Sequence, residues 1–422
     1  MEVLIERAAG LDVHQKTVVA CVLIGAPGAA KVTQEIRTFG TMTRDLEALR
    51  DWLAERGVSH VGMESTGVYW CPVHNVLEGH FTLIVGNARH MRNVPGRKTD
   101  VKDAAWIAHL VRVGMIQPSF VPLKPMRALR DLLRYRRKTV EAQSAERNRL
   151  QKLLETANIK LASVASNVLG TSGRAMLRAL IDGTASPEAM AELALGKLRI
   201  KRADLARALD GRLDDHHRFL LTMQLHRLEA AEADIDRLDQ EIRRRLAPYG
   251  ATMRRLMQIP GVEWLTAAVI LAEIGEDMSV FVSAHHLASW TGVCPGNNES
   301  AGKRLSGRSR KGNVHLKTTL INAAIAASRA KGTYLRDKYH RLKARRGGMR
   351  AALAIGHKIL LAVYHMLAEG VDYRDLGAAY LDQIDQARTL SNLKRRIERM
   401  GYVVSLAPTA PMANTEPEPA TA

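Results

Sequence analysis

Four acidic residues in the first part of the chain have types and spacings that suit divalent-metal chemistry. Asp12 sits just before or inside a strand, Glu64 ends the strand-like Val61-Gly62-Met63, and Asp100 and Asp103 bracket the start of a helix. Residues three apart share a helix face, so the last two can aim at one site. Acids in a first helical turn also suit its positive end. Mg²⁺ takes carboxylate oxygens and keeps several waters. Two such ions about 3.5–4 Å apart stabilise the attacking and leaving oxygens of a phosphoryl transfer. Four converging carboxylates repel one another without cations, so convergence implies Mg²⁺ or Mn²⁺. Taken singly, each acid is an ordinary cap or a solvated side chain.

A second block is basic and rich in small residues. It runs Gly292-Val293-Cys294-Pro295-Gly296-Asn297-Asn298-Glu299-Ser300-Ala301-Gly302-Lys303-Arg304 and continues through Arg308, Arg310, Lys311, Gly312 and Asn313. Glycines permit close backbone approach, and the cations suit phosphate. Composition alone favours a loop that only touches a nucleic-acid backbone. Ser300, Ser306 and Ser309 lie within it, but a serine hydroxyl is a poor nucleophile without a base or a stabilising charge. No Ser–His–Asp arrangement is evident. His285 and His286 are adjacent, so on a helix they point about 100° apart and do not chelate; with His14 and His315 they read as structural or DNA-facing. Pro260-Gly261-Val262 before a helix resembles a helix–hairpin–helix turn, which offers backbone N–H groups to phosphate, although proline also opens ordinary helices.

The elements that must position these residues follow from periodicity. Thr17–Ile24 is an uncharged, β-branched run ended by a Gly-Ala-Pro-Gly turn. Residues 31–39 alternate as a strand does, and 60–64 and 81–85 are short apolar strand candidates. Residues 43–56 place Leu46, Leu49, Trp52 and Leu53 at helical spacing, and 102–113 reads as a helix. A mixed sheet with helices packed on it follows for residues 1–122. Residues 123–160 are helical and dense in arginine, at 127, 130, 134, 136, 137, 147 and 149. Residues 161–214 suit short helices. A long helix over 219–246 carries an apolar three-four stripe interrupted by Glu232, which suits a coiled coil, and so dimerisation, or equally one helix inside a bundle. A mostly helical segment covers 251–375, a helical extension 376–405, and a Pro/Thr/Ala/Glu-rich tail 406–422 reads as disordered.

Charge narrows the function class. Lys plus Arg is 62 against 43 Asp plus Glu, a formal net charge of +19. So basic a chain meets a polyanion, because its cations neutralise phosphates and release counterions. A membrane surface is the weaker expectation: no uninterrupted apolar stretch reaches spanning length, and no basic start and apolar core mark a signal peptide. The expected location is cytoplasmic. Three widely spaced cysteines with no CxxC argue against disulfides and zinc.

Taken together, the blocks around Asp12, Glu64 and Asp100/Asp103 resemble the DEDD motif of insertion-sequence transposases, whose N-terminal domain is RuvC-like with the RNase H fold. The Piv-type DNA invertases are relatives. The similarity extends through 259–325. It implies that Asp12, Glu64, Asp100 and Asp103 bind metal, and that Ser300, before Ala301-Gly302-Lys303, is the catalytic serine; Ala301 replaces the more usual first glycine of that triplet. It implies cleavage and rejoining of DNA through a phosphoserine link, a structured bridge RNA as guide, and a homodimer or homotetramer. Gly261, Lys303, Arg304, Arg308, Arg310 and Lys311 are the expected nucleic-acid contacts. The arginines of 127–149 suit RNA and DNA alike. A Piv-type invertase, a RuvC-like nuclease with no covalent intermediate, and a non-catalytic nucleic-acid-binding protein are the competing expectations.

Overall fold

The computed structural model describes residues 3–406 apart from 28, 30–31, 66, 88–102, 296–297, 301–302, 307–308, 310 and 385, and apart from the side chains of 298–300, 303–306 and 388. Two compact units divide at Pro122 and Leu123.

The first unit is a five-stranded sheet ordered β3-β2-β1-β4-β5. Its strands are β1 (Arg7–Val13), β2 (Thr17–Ile24), β3 (Thr33–Gly40), β4 (His60–Glu64) and β5 (Thr82–Gly86). The first three form an antiparallel meander, and β4 and β5 add parallel to β1. Parallel pairing needs crossovers; helices α1 (Thr43–Glu55) and α2 (Trp70–Leu77) supply them. Strand alternation then sorts the side chains. Ala9, Leu11, Val18, Ala20, Val61 and Met63 face one way, where Leu46, Leu49 and Leu53 of α1 and Leu77 of α2 cover them. Ala8, Gly10, Cys21 and Gly62 face the other way, where α3 (Asp103–Arg112) packs through Ala104, Ile107, Ala108 and Val111.

That second packing demands glycine. Gly10 and Gly62 are cross-strand partners. A Cβ on Gly10 would lie 2.2 Å from the Ala104 carbonyl oxygen and 2.2 Å from the Ala108 nitrogen. One on Gly62 would lie 2.3 Å from a Val111 methyl. The helix therefore rests almost on the strand backbone. Two features differ from the sequence expectation. A full strand, β1, precedes the β-branched run, and α2 was not anticipated.

The second unit is almost wholly helical. Its spine is α4 (Lys124–Thr156), about 50 Å long at 1.5 Å per residue. Beyond it come α5 (Leu161–Val164), α6 (Thr171–Asp182), α7 (Pro187–Glu192) and α8 (Arg202–Leu209). These pack around Leu150 and Leu154 of α4 and Leu221 and Leu228 of α9 (Asp215–Leu246). Helix α9 runs antiparallel to α4: Arg136 meets Asp239, and Gln143 meets Glu232. The apolar stripe of α9 is thus used within the chain. Glu232, which broke that stripe, accepts from Arg174 of α6 at 2.6 Å.

The chain continues through α10 (Gly250–Leu256), α11 (Trp264–Ile274) and α12 (Ala284–Thr291) to a hairpin of β6 (Asn298–Ser300) and β7 (Lys303–Ser306). Helices α13 (Val314–Ala327), α14 (Tyr334–Arg346), α15 (Gly348–Glu369), α16 (Tyr380–Ile384) and α17 (Gln386–Glu398) follow. Among the described residues α15 is long and apolar enough, by length and composition, to cross a membrane. Its Ala351, Ile355, Ile359 and Val363 are buried by neighbouring helices, and Arg350, His357 and Lys358 interrupt it. It is a core helix.

Gly10→Ala should destabilise the protein by ~1–3 kcal/mol or more, because the overlap is with helix backbone. Gly250→Ala, at a helical φ of −57° with Arg254 3.6 Å away, should stay within ~1 kcal/mol of the parent. Chemical denaturation of the two variants checks the contrast.

Candidate functional site

Two of the four expected acids fall on the sheet face that α3 covers, and a third opens α3 itself. In β1 the residues on that face are Ala8, Gly10 and Asp12; in β4 they are His60, Gly62 and Glu64. Leu11 pairs with Met63, so Asp12 and Glu64 stand at the next register position on adjacent parallel strands. Both lie at the C-terminal ends of those strands. Asp103 is the first residue of α3, one before the Ala104 carbonyl that touches Gly10. The close glycine packing therefore sets the acidic end of α3 over the same edge of the sheet. Asp100 lies outside the described residues. Among the described residues, no three His, Cys, Asp or Glu side chains are gathered into a ready metal cage. The donor set is all carboxylate, which suits a hard cation.

His14 has a role here that sequence reasoning left undefined. Its Nε2 lies 3.1 Å from Asp12 Oδ2. The tight β1–β2 connection turns it back toward the acid, and His14 N–H donates to the Thr17 carbonyl. The imidazole is 60% exposed, so the pair orients Asp12 more than it stabilises the fold.

The serine block is a hairpin held at its feet. Helix α12 ends at Gly292, in the left-handed region at φ +79°. Pro295 and Ser309 bridge, and Ser300 pairs with Lys303 across the β6–β7 ladder. The returning strand lands at Gly312, where a Cβ would lie 2.5 Å from Gly292 N and from the Thr291 carbonyl. Asn313 then caps α13 by accepting from Leu316 N–H at 3.0 Å. Ser300, Lys303 and Arg304 are thus placed by backbone on the hairpin, as is Ser306. Arg308 and Arg310 lie outside the described residues, and Lys311 is exposed. The Ser309 Oγ accepts from Lys317 Nζ of α13 at 2.7 Å.

Glu273 anchors this hairpin to the arginine-rich helix. It is 2% exposed, at the C-terminal end of α11. Arg134 of α4 donates to both its oxygens, at 3.0 and 2.9 Å. Arg130 lies 3.1 Å from Oε2 and also donates to the Glu273 carbonyl oxygen at 2.8 Å. Asn313 Nδ2 donates to Oε2 at 2.7 Å. One carboxylate thus joins α4, α11 and the base of the serine hairpin. Burial pulls the Arg130 guanidinium below its ordinary value, and Glu273 opposes that pull.

The network revises the reading of α4 as a nucleic-acid surface. Arg130 and Arg134 turn inward to Glu273, Arg136 donates to Asp239 at 2.9 Å, and Arg149 pairs with Glu146 at 2.7 Å. Arg130, Arg134 and Arg136 are thus held by carboxylates within the fold, whereas Arg137 sits in an exposed pair and the Arg149 side chain is exposed. Gly261 also has a packing reason: at φ +84° its Cβ would lie 2.3 Å from the Ala323 carbonyl of α13. His286 sits edge-on to Phe281, and the His285 ring is 6.3 Å from that of His357.

The acidic sheet edge and the basic serine hairpin are the parts expected of an enzyme acting on nucleic-acid phosphates. Comparison with known proteins makes the class specific: residues 9–159 match a family model described as Transposase, and residues 253–340 match one described as Transposase IS116/IS110/IS902 family. The enzyme is a transposase, acting on DNA. The chain belongs to the IS110 family. A probable family 20 transposase of Pseudomonas aeruginosa is 26% identical over 77% of this chain and 89% of its own length. The transposase for insertion sequence element IS1111A of Coxiella burnetii is 35% identical over 29% of this chain and 34% of its own. An insertion element IS110 protein of 43.6 kDa from Streptomyces coelicolor is 34% identical over 28% of this chain and 29% of its own.

Glu273→Gln should lower stability by ~3 kcal/mol or more, since it leaves two arginines around a neutral partner. Arg137→Gln, in an exposed pair with Glu141, should change it by less than ~1 kcal/mol. Urea midpoints at matched slope measure both.

Proposed function

We propose that this transposase cleaves and rejoins DNA strands with a metal-assisted serine nucleophile, on a first unit of RNase H/RuvC type. The observation that carries the reading is the placement of Asp12 and Glu64. They occupy the next register position on adjacent parallel strands, on the face where α3 opens with Asp103. The meander-plus-parallel strand order supports the RNase H-type assignment.

Asp12, Glu64 and Asp103, with Asp100, would hold Mg²⁺ or Mn²⁺. Bound divalent metal would supply charge stabilisation at the scissile phosphate. Ser300 Oγ attacks phosphorus, and its proton passes to solvent or to a neighbouring base. The bond from phosphorus to one deoxyribose oxygen breaks, and that oxygen leaves as a hydroxyl. Attack by a deoxyribose hydroxyl of the partner strand reverses the step and frees Ser300. The phosphate ester count is unchanged, so rejoining needs no external energy source. Lys303, Arg304, Arg308, Arg310 and Lys311 would neutralise the strand around the serine. His14 would keep Asp12 in its donor orientation.

A structured bridge RNA as guide, and a homodimer or homotetramer as the working assembly, complete the proposal. Both rest on the family resemblance. The inward turn of the α4 arginines moves the expected RNA contact away from Arg130, Arg134 and Arg136. Sequencing nucleic acid that co-purifies with the chain tests this: a discrete small RNA supports guidance, and bulk nucleic acid alone argues against it.

Asp12→Ala and Glu64→Ala should each reduce strand cleavage at least ~100-fold while leaving DNA affinity within a few-fold. Ser300→Ala should abolish a covalent protein–DNA adduct trapped by denaturation. An adduct that persists in Ser300→Ala but disappears in Ser309→Ala would move the nucleophile. Cleavage with no adduct in the parent would favour the hydrolytic, RuvC-like nuclease.

A further inference from the structure

Helices α4, α11 and α13 line a cleft of about 310 Å³ beside the Glu273 cluster, with Glu273 and Arg134 among its lining residues. That volume falls at the lower end of the range for sites that take a small molecule. Its composition is divided. Leu133 and Val140 of α4 oppose Leu265 and Val269 of α11, forming apolar walls. His315, Thr318 and Asn322 of α13 line it with polar groups, and Arg134, Arg136 and Arg137 line the α4 side.

The charges are not equivalent. Glu273, the only carboxylate among the lining residues, is already held by Arg134, Arg130 and Asn313. Two arginines about one carboxylate leave the cleft electropositive. Arg136 is engaged by Asp239. Arg137 is different: its partner Glu141 is 46% exposed and their pair is solvated, so a phosphate can displace it at small cost. The chemistry that fits is a flat, apolar-faced group with polar edges, joined to an anion.

We propose that this cleft takes one unpaired nucleotide of the bound nucleic acid, with the base between the α4 and α11 walls and its phosphate at Arg137. The inference rests on the nucleic-acid reading of the preceding section, and adds a base-binding site built from side chains other than the four acids and the serine-hairpin residues. A duplex is too wide to enter, so the site selects single-stranded or flipped-out nucleotides. Guanidinium planes and apolar walls hold a base by stacking irrespective of its identity. The Asn322 amide and the His315 imidazole can each donate and accept, which suits a base edge. Burial, then Arg134, lowers the proton affinity of His315, which keeps the imidazole neutral and able to do both at neutral pH.

The test uses the full chain and short single-stranded oligonucleotides carrying 2-aminopurine. Thr318→Trp fills the cleft from its rim; Arg137→Gln removes the phosphate contact. Binding should change 2-aminopurine emission in the parent. Thr318→Trp should abolish that change and weaken single-strand affinity about tenfold, with duplex affinity unaltered within about twofold. Arg137→Gln should reduce the salt dependence of single-strand binding by about one phosphate contact, a slope change of ~0.7. An oligonucleotide with abasic residues at the probe positions should lose the same tenfold. Unaltered single-strand affinity in Thr318→Trp, with its unchanged melting temperature as the folding control, overturns the cleft assignment and leaves the nucleic-acid reading standing. So does displacement of the oligonucleotide by millimolar inorganic phosphate as effectively as by a nucleoside monophosphate. A parent chain that binds no oligonucleotide at all overturns both.

Discussion

The buried carboxylate of Glu273 is the constraint on which the second unit turns. A carboxylate at 2% exposure is costly unless every lone pair is used. Here Arg134 and Arg130, one turn apart on α4, and Asn313 at the start of α13 use them. Removing water from this cluster fixes the rotation of α4 about its own axis, because only one face of α4 carries both Arg130 and Arg134. That rotation then decides which arginines face solvent. It also fixes the foot of the serine hairpin, since Asn313 both caps α13 and binds Glu273. The nucleophile proposed on that hairpin is therefore placed by an ion cluster that takes no part in its chemistry.

A different device serves the first unit. Close contact with the strand backbone at Gly10 sets the acidic end of its third helix. Gly10 and Gly62 let α3 settle onto β1 and β4, and the first residue of α3 is an acid. Helix position and acid position are one variable. An alanine at Gly10 would meet the Ala104 and Ala108 backbone, so the helix, and the acid that opens it, would have to shift; at Gly62 it would meet the side chains of Val111 and Ile107. His14 refines the arrangement by meeting Asp12 across a tight turn. Precision at a carboxylate edge is obtained by the absence of side chains beneath it.

Much of this was legible in the sequence, for reasons that can be named. The run Thr17–Ile24 and the helix around Leu46, Leu49 and Leu53 declare themselves by period, and both formed where expected. Strand β1 did not, because Arg7-Ala8-Ala9-Gly10 has little β-propensity; its small residues are there for α3, a contact no local rule contains. Helix α2 is short and carries proline near its start, so its period is barely one repeat. The three-four stripe of α9 was read correctly as an apolar face, but its partner was undecidable: an α-helix shows the same stripe to its own chain as to another. The acids and Ser300 were singled out by motif as expectations, whereas the Glu273 network was invisible. Glu273 follows an apolar run, and nothing nearby in sequence marks its partners, which lie 40 to 143 residues away.

The same network changes what the basic composition means. A net charge of +19 identifies a polyanion as partner but not where it binds. Arg130, Arg134 and Arg136 are among the cations that composition offers, yet their guanidiniums are committed to buried or half-buried carboxylates. A phosphate would have to break those bonds and strand the carboxylate, at a cost of several kcal/mol. Exposed cations carry no such penalty, because their pairs are worth ~1 kcal/mol or less and counterion release repays the exchange. The exposed group, of which Arg137 and Lys311 are members, is therefore the one that can exchange its surroundings for phosphate at small cost, and the arginine count of a helix overstates its capacity to bind. The consequence is a division of labour along α4: its inward arginines set the geometry of the serine hairpin, and its outward ones remain available to the strand being processed.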